Sequence, residues 1–298
     1  MTLVALPELL ERAEKGRYAV GYFEAWDLYS LEAVLAAGEA EQSPLILGIG
    51  GLSASHEWLR SHGIEVYGAA CEALARRTKL PTAILFNEAD SLEEAAAGLR
   101  AGYNAVMMHT QGWPWERLVA DTKALVNAAH GLGVAVEGEV GALSEMRGGA
   151  LDDSIGRMTG VDEAVEFVGA TGVDCLAVAV GNVHFVHDDH VPIINTQRIR
   201  DIGAAVPVPL VLHGGSGTPV DQVQAAIEAG IAKVNVGTRL KRIYGAALDA
   251  AVRAGGSDAN LLHGSRRPDD LNGRAARAVT AEVRRLMQVF GSSGRAAA

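Results

Sequence analysis

The sequence predicts an α/β fold, a closed (β/α)8 TIM barrel with an extra C-terminal helix. Three observations carry that expectation: eight short apolar runs, helical stretches between them, and polar side chains gathered where the runs end. The runs are YAVGYFE (18–24), PLILGIG (44–50), TAILFNE (82–88), AVMMHT (105–110), VAVEGEVG (134–141), CLAVAVGNVH (175–184), PLVLHGGSG (209–217) and KVNVGT (233–238). Most are solidly apolar rather than alternating, as parallel strands covered on both faces are. Between them, SLEEAAAGLRAGY and VDQVQAAIEAGI place Ala, Leu and Glu at helical spacing and close on glycine. Eight such units close into a barrel, with a doubly wound open sheet as the alternative. DDLNGRAARAVTAEVRRLMQVFG reads as the added amphipathic helix and GSSGRAAA as a frayed tail.

No composition shift or linker divides the chain, so residues 1–298 are read as one domain. Hydrophobic residues make up 49% of it, enough for a large core. A net charge of −10 argues against nucleic-acid partners, because phosphates repel an acidic surface. The opening MTLVALPELLERAEKG lacks a basic n-region and reads as an amphipathic helix rather than a signal peptide, and no apolar run reaches membrane-spanning length. Cys71 and Cys175 are too few for a disulfide framework and suit a reducing cytoplasm, where both are expected simply to pack.

In such a barrel the active site collects at the carboxyl ends of the strands. Glu24, Asn87, Glu88, His109, His184, His213, Asn235 and Thr238 fall there, and Glu137 and Glu139 lie on the fifth run. Two histidines on adjacent strands, opposite carboxylates from the third and fifth, read as an open metal site for Zn, with Mn, Fe or Co as alternatives. A buried Glu88 or Glu139 demands a cation or a basic partner. In LHGGSGTP (212–219), small residues directly after a strand let backbone N–H groups approach an anion, and NVGT adds an amide and a hydroxyl. Two features read more plainly: VHDDHVP (186–192), with His187, Asp188, Asp189 and His190, as a solvated loop, and Trp113 and Trp115 as packing residues.

From about residue 5 to residue 294 the chain resembles the class II, metal-dependent fructose-bisphosphate aldolases and the related ketose-bisphosphate aldolases. TGVDCLAVAVGNVHF resembles the family segment with one metal histidine, which implies that role for His184. VPLVLHGGSGTP resembles the segment with a second metal histidine and a phosphate loop, implying His213 and Gly214, Gly215 and Ser216. KVNVGTRLK resembles the strand whose Asn contacts substrate, here Asn235, followed by Gly237 and Thr238; VEGEVG implies a supporting or alternative metal carboxylate at Glu139. The resemblance further implies a ketose-phosphate substrate, an enediolate intermediate, and a homodimer or homotetramer. It also places SRRP (265–268) near a substrate phosphate, although a surface charge is an equal reading.

The departures fall at the catalytic face. Where the family ends its third strand on a His-x-Asp-His pattern, this chain has Leu85, Phe86, Asn87 and Glu88. Asn87 cannot take a proton at neutral pH; Glu88 can replace the missing imidazole as a ligand. Glu24 stands where the family has Asn, Gly50 where it has Ser, His109 where it is acidic, Phe185 where it has Gly, and Gly237 where Asp is frequent. The expectation is therefore a metal-dependent carbon–carbon lyase on a small, phosphorylated ketose or sugar-acid derivative. Glu88, His184 and His213 would hold the metal with support from Glu139, and Glu24, Glu145 (on a mobile loop) or His109 would take over proton transfer from Asn87. An isomerase or epimerase on the same scaffold, and a non-catalytic sugar-phosphate binder, are the alternatives.

Overall fold

The computed structural model describes residues 3–50, 54–147, 150–152, 156–184 and 191–297. Its strands are β1 (Val20–Phe23), β2 (Leu45–Gly50), β3 (Thr82–Ala89), β4 (Ala105–Met108), β5 (Ala135–Val140), β6 (Ser144–Arg147), β7 (Ala150–Asp152), β8 (Cys175–Val178), β9 (Val183–His184), β10 (Leu210–Leu212) and β11 (Ile231–Val236). Eight of them form a closed parallel barrel in the order β1-β11-β10-β8-β5-β4-β3-β2, with helices between strands: a (β/α)8 TIM barrel. All eight apolar runs supply a barrel strand. Because each strand is buried on both faces, two cores result. One lies between strands and outer helices; the other fills the barrel, where Val20, Ile46, Leu85, Met107 and Val211 meet.

The helix Leu6–Gly16 plugs the amino-terminal mouth of the barrel. Leu6, Leu9 and Leu10 are buried against the interior residues, and Asn104 ties the approach down by donating from Nδ2 to the Val4 carbonyl (2.8 Å). This end is therefore a stopper of apolar side chains, which leaves the opposite mouth for chemistry. At the C-terminus, the helix Leu271–Val289 packs between the helices Leu28–Glu41 and Thr238–Ala254, burying Val279, Val283 and Met287. Phe290 stacks on Phe23 of β1 at 6.0 Å between ring centroids.

The structure corrects the sequence reading in several places. The tail is not frayed up to Ala296: buried Ser292 meets Ser43 Oγ at 2.9 Å, and the Gly294 and Ala296 N–H groups donate to the Glu41 and Gln42 carbonyls. The sixth barrel strand ends at Val178, not at His184; His184 sits on β9, in a small sheet of order β7-β6-β9. Glu145 is not on an open loop either, because β6 and β7 pair antiparallel as a hairpin. Phe185, His187, Asp188, Asp189 and His190 lie outside the described residues. No helix among the described residues is long and apolar enough to cross a membrane.

Candidate metal centre and active site

The site begins with a break in β3. Its register against β4 shifts between Phe86 and Ala89, and Glu88 at that break has φ +58°, in the left-handed region. A non-glycine residue there carries strain of order 1–3 kcal/mol and persists only where the surroundings enforce it. A register break of this kind bends the strand and re-aims its side chains. Here it brings Glu88 to the histidines, with Oε1 3.4 Å from His213 Nδ1.

His184 and His213 approach from β9 and from just past β10, their ring centroids 6.0 Å apart. One ligand atom from each of Glu88, His184 and His213 lies within 4.8 Å of the others, and all three side chains are buried. Two imidazoles and one carboxylate with converging atoms fit a divalent ion such as zinc. Their ionisation suits the task. Burial pushes the His184 imidazole down to about 4, leaving it neutral at physiological pH. Burial opposes charge on Glu88 too, but the His213 hydrogen bond and the nearby His213, His184 and His109 outweigh it and hold the carboxyl below its ordinary value.

His213 is fixed from behind. Its Nε2 lies 2.9 Å from Glu137 Oε1, and Lys233 Nζ donates to Glu137 Oε2 (2.7 Å) and to Asn235 Oδ1 (2.7 Å). Lys233 and Glu137 are 0% and 1% exposed. The lysine takes the oxygen of the Asn235 amide and leaves Nδ2 3.0 Å from His213 Nε2, but the Glu137 carboxylate, which can only accept, is what assigns the Nε2 proton. Nδ1 is thereby turned to the Glu88–His184 side, where it can ligate once the ring gives up its second proton, the usual arrangement of a metal-binding histidine backed by a carboxylate. Burial disfavours a charged Glu137, yet the Lys233 charge and the His213 hydrogen bond bring its carboxyl down to about 2. Burial would likewise lower His213, but its hydrogen bonds to Glu137 and Glu88 raise it to about 9. Sequence reasoning put Glu137 on its strand without a role and passed over Lys233. A lysine inside an otherwise apolar strand was the available signal, since a buried ammonium requires a carboxylate.

A cavity of about 420 Å³ opens over this cluster. Glu24, Asn87, Asn235, Gly237 and Thr238 line it together with the three cluster residues, and Lys241 and Arg242 stand at its side. Gly214 and Ser216 also border it, although the chain has local uses for the glycines. A Cβ on Gly214, at φ +70°, would meet the Val183 carbonyl oxygen at 2.5 Å, and one on Gly215 would meet that of Asn235 at 2.8 Å. Ser216 Oγ accepts from the Gly237 and Arg239 N–H groups (3.0 and 3.2 Å), steadying the start of the helix Thr238–Ala254.

The remaining expected site residues lie elsewhere. Glu139 does not join the cluster; it lines a second cavity of about 290 Å³ beside Trp113, Trp115 and Arg157. There it accepts from Gln111 Nε2 (3.3 Å), its Oε2 has no hydrogen-bond partner among the described residues, and burial raises its carboxyl. His109 follows β4, and Glu145 pairs in register with His184, but neither lines the main cavity. Arg266 of SRRP stacks on Tyr29 at 3.6 Å and pairs with Glu32, away from the cavity.

A closed parallel barrel with a buried cluster of ionisable groups under one cavity defines a barrel enzyme. Comparison with known proteins gives the family: the model of class II fructose-bisphosphate aldolase matches residues 4–295. The chain is 34% identical to the fructose-bisphosphate aldolase of Geobacillus stearothermophilus, covering 100% of both chains. It is also 34% identical to the probable fructose-bisphosphate aldolase of Bacillus subtilis (strain 168), over 99% of this chain and 100% of that one. The crystal structure of the YdjI aldolase of Escherichia coli K12 superposes with a TM-score of 0.79 at 28% identity, covering 99% of both chains. A putative fructose-1,6-biphosphate aldolase from Coccidioides immitis gives 0.80 at 25%, covering 97% of both. The chain therefore belongs to the class II fructose-bisphosphate aldolase family and is an aldolase-type lyase. That family is in general divalent-metal dependent.

Proposed function

We propose that the protein is a metal-dependent carbon–carbon lyase that cleaves or forms a bond beside the ketone of a small, phosphorylated ketose or sugar-acid derivative. The observation that carries this reading is the convergence of Glu88, His184 and His213 under the cavity. Glu88, His184 and His213 Nδ1 would hold the ion, with zinc the first candidate and Mn, Fe or Co the alternatives. When bound, such an ion supplies Lewis acidity at a ketone and offsets the negative charge of the enediolate left by carbon–carbon cleavage.

The chain's own groups do the rest. Glu137 and Lys233 hold His213 in one tautomer and one orientation. Asn235, held between Lys233 and His213, lines the cavity beside the cluster. Lys241 and Arg242 draw the anionic end of the substrate to the side bordered by Gly214, Ser216 and Thr238. The cavity's 420 Å³ suits a sugar phosphate rather than a polymer. Asn87 can donate a hydrogen bond to a substrate hydroxyl but cannot accept its proton. The relatives' names point to fructose bisphosphate as the first substrate to try. We further take the protein to act in the cytoplasm as a homodimer or homotetramer; light scattering tests the assembly.

The experiment is reconstitution. Protein stripped with a chelator and reloaded with zinc is assayed for aldehyde release from fructose 1,6-bisphosphate and a panel of ketose 1-phosphates. Turnover that vanishes with the metal and returns with it is expected. A stripped protein that works as well as the loaded one, or a loaded one inert on the whole panel, would overturn the reading.

A further inference from the structure

We propose that Glu24 is the catalytic proton-transfer carboxylate of this enzyme, seated in a recess that exists because residues 50 and 237 are glycine. The inference rests on the lyase reading above and deepens it. Glu24 follows β1, its N–H donating to the Val236 carbonyl (3.0 Å), so its side chain rises at the carboxyl mouth between β2 and β11. A methyl group on Gly50 would run into Glu24 Oε1, and one on Gly237 would run into Glu24 Oε2. Each carboxylate oxygen thus occupies space that any side chain at one of those two positions would take.

The recess adjoins the residue that cannot do the job itself. Gly50 is the register partner of Asn87 on β3, and the Asn87 Nδ2 lies 3.6 Å from the point where a Gly50 Cβ would stand. The Glu24 carboxylate therefore fills the space beside Asn87 that a side chain at position 50 would take. Among the described residues lining the cavity, Glu24 is the one carboxylate outside the metal cluster. The other candidates are set aside by position: His109, Glu139 and Glu145 do not line the cavity. Tyr22, the remaining acid there, is fully buried. Glu24, Gly50 and Gly237 come from three separate strand ends, yet they make one device: a carboxylate moved next to the position Asn87 has given up.

The step balances without an added reactant. In the cleavage direction Glu24 takes the hydroxyl proton from the carbon that will leave as aldehyde. The O–H pair becomes the new C=O bond, the carbon–carbon pair passes to the carbon beside the ketone, and the proton held on Glu24 is then delivered to that carbon. Asn87 steadies the hydroxyl during the transfer.

The test compares zinc-loaded wild type, E24Q, E24A and the double variant E24Q/N87D on the same panel, with zinc content by elemental analysis and circular dichroism as controls. E24Q is expected to keep one zinc per chain and a KM within about threefold of wild type, while kcat falls about 10²–10⁴-fold. Formate or acetate should restore part of the E24A turnover by refilling the emptied recess, and N87D should restore part of that of E24Q by supplying a carboxylate beside it. An E24Q protein within threefold of wild-type kcat would overturn the proposal. So would a loss that neither formate nor N87D repairs, since Glu24 would then merely fill space. Wild type inert on the whole panel would instead overturn the lyase reading and this one with it; zinc content would still report separately on the cluster.

Discussion

Replacing Lys233 by Met removes one buried charge and leaves its partner behind. Lys233 is 0% exposed and holds Glu137 at 2.7 Å, and Glu137 is 1% exposed, so water cannot take the lysine's place. Breaking a buried pair from one side costs about 3–5 kcal/mol. The ionisation of Glu137 gives the same scale. Its carboxyl moves from 4.5 to about 2, equivalent to about 3 kcal/mol shared between Lys233 and His213. For a carboxyl lowered in the folded state, that stability is present above about pH 4.5 and lost as pH falls toward 2. In K233M only His213 is left to oppose burial, so the carboxyl rises and protonates at higher pH, and the gap from wild type is expected to be widest near pH 7 and to narrow toward pH 4.5. At about 2–4 °C per kcal/mol, Tm at pH 7 should fall by roughly 6–20 °C. Thermal melts of both proteins in excess chelator, from pH 7 to 4.5, measure this without metal linkage. A drop under 3 °C, or one that does not change with pH, would refute the assignment of Lys233 and Glu137 as a buried pair that anchors His213.

Other outcomes follow from the same cluster. The His213 ring, raised to about 9, stabilises the metal-free protein fully below about pH 6.5 and loses that contribution as pH rises through 9. A ligating ring must shed this proton, so zinc affinity, measured against a chromophoric chelator, should rise about tenfold per unit between pH 7 and 8; a flat profile contradicts it. E88G and E88A should both lose zinc, while E88G melts higher because glycine adopts the φ of +58° at no steric cost. The difference is about 1 kcal/mol, and equal melting points would show that the left-handed backbone had relaxed. Removing residues 291–298 should lower Tm by several degrees, since the buried Ser292 and two backbone hydrogen bonds hold that segment; an unchanged melt would restore the picture of a loose tail.

The barrel was legible because strands buried on both faces must be apolar throughout, and 44–50 and 82–88 could be little else. Polar residues at strand ends were legible for the same reason: inside the sheet they would have gone unpaired. Glu88 was recognised as a chemical replacement for a histidine, but not as a left-handed residue at a register break. A bulge depends on the neighbouring strand, here β4, and not on local sequence. His184 was read as a barrel-strand end although CLAVAVGNVH carries a turn signal in Gly181 and Asn182: Gly181 has φ +100°, and Asn182 folds back to accept from the Val180 N–H and donate to the His213 carbonyl. GSSGRAAA looked like coil by composition, and nothing local announces that Ser292 meets Ser43 from the far end of the chain. The roles of Gly50 and Gly237 were invisible until Glu24 was placed beside them: an absent side chain has meaning only in relation to what fills its volume.

The central claim is that one divalent ion is clasped by Glu88, His184 and His213. X-ray data collected on either side of the zinc absorption edge, from zinc-soaked crystals of the full chain, test it most directly. A single anomalous peak within bonding distance of a Glu88 carboxylate oxygen, a His184 ring nitrogen and His213 Nδ1 is the predicted result. No peak there, or one confined to the Glu139 cavity, would contradict the account.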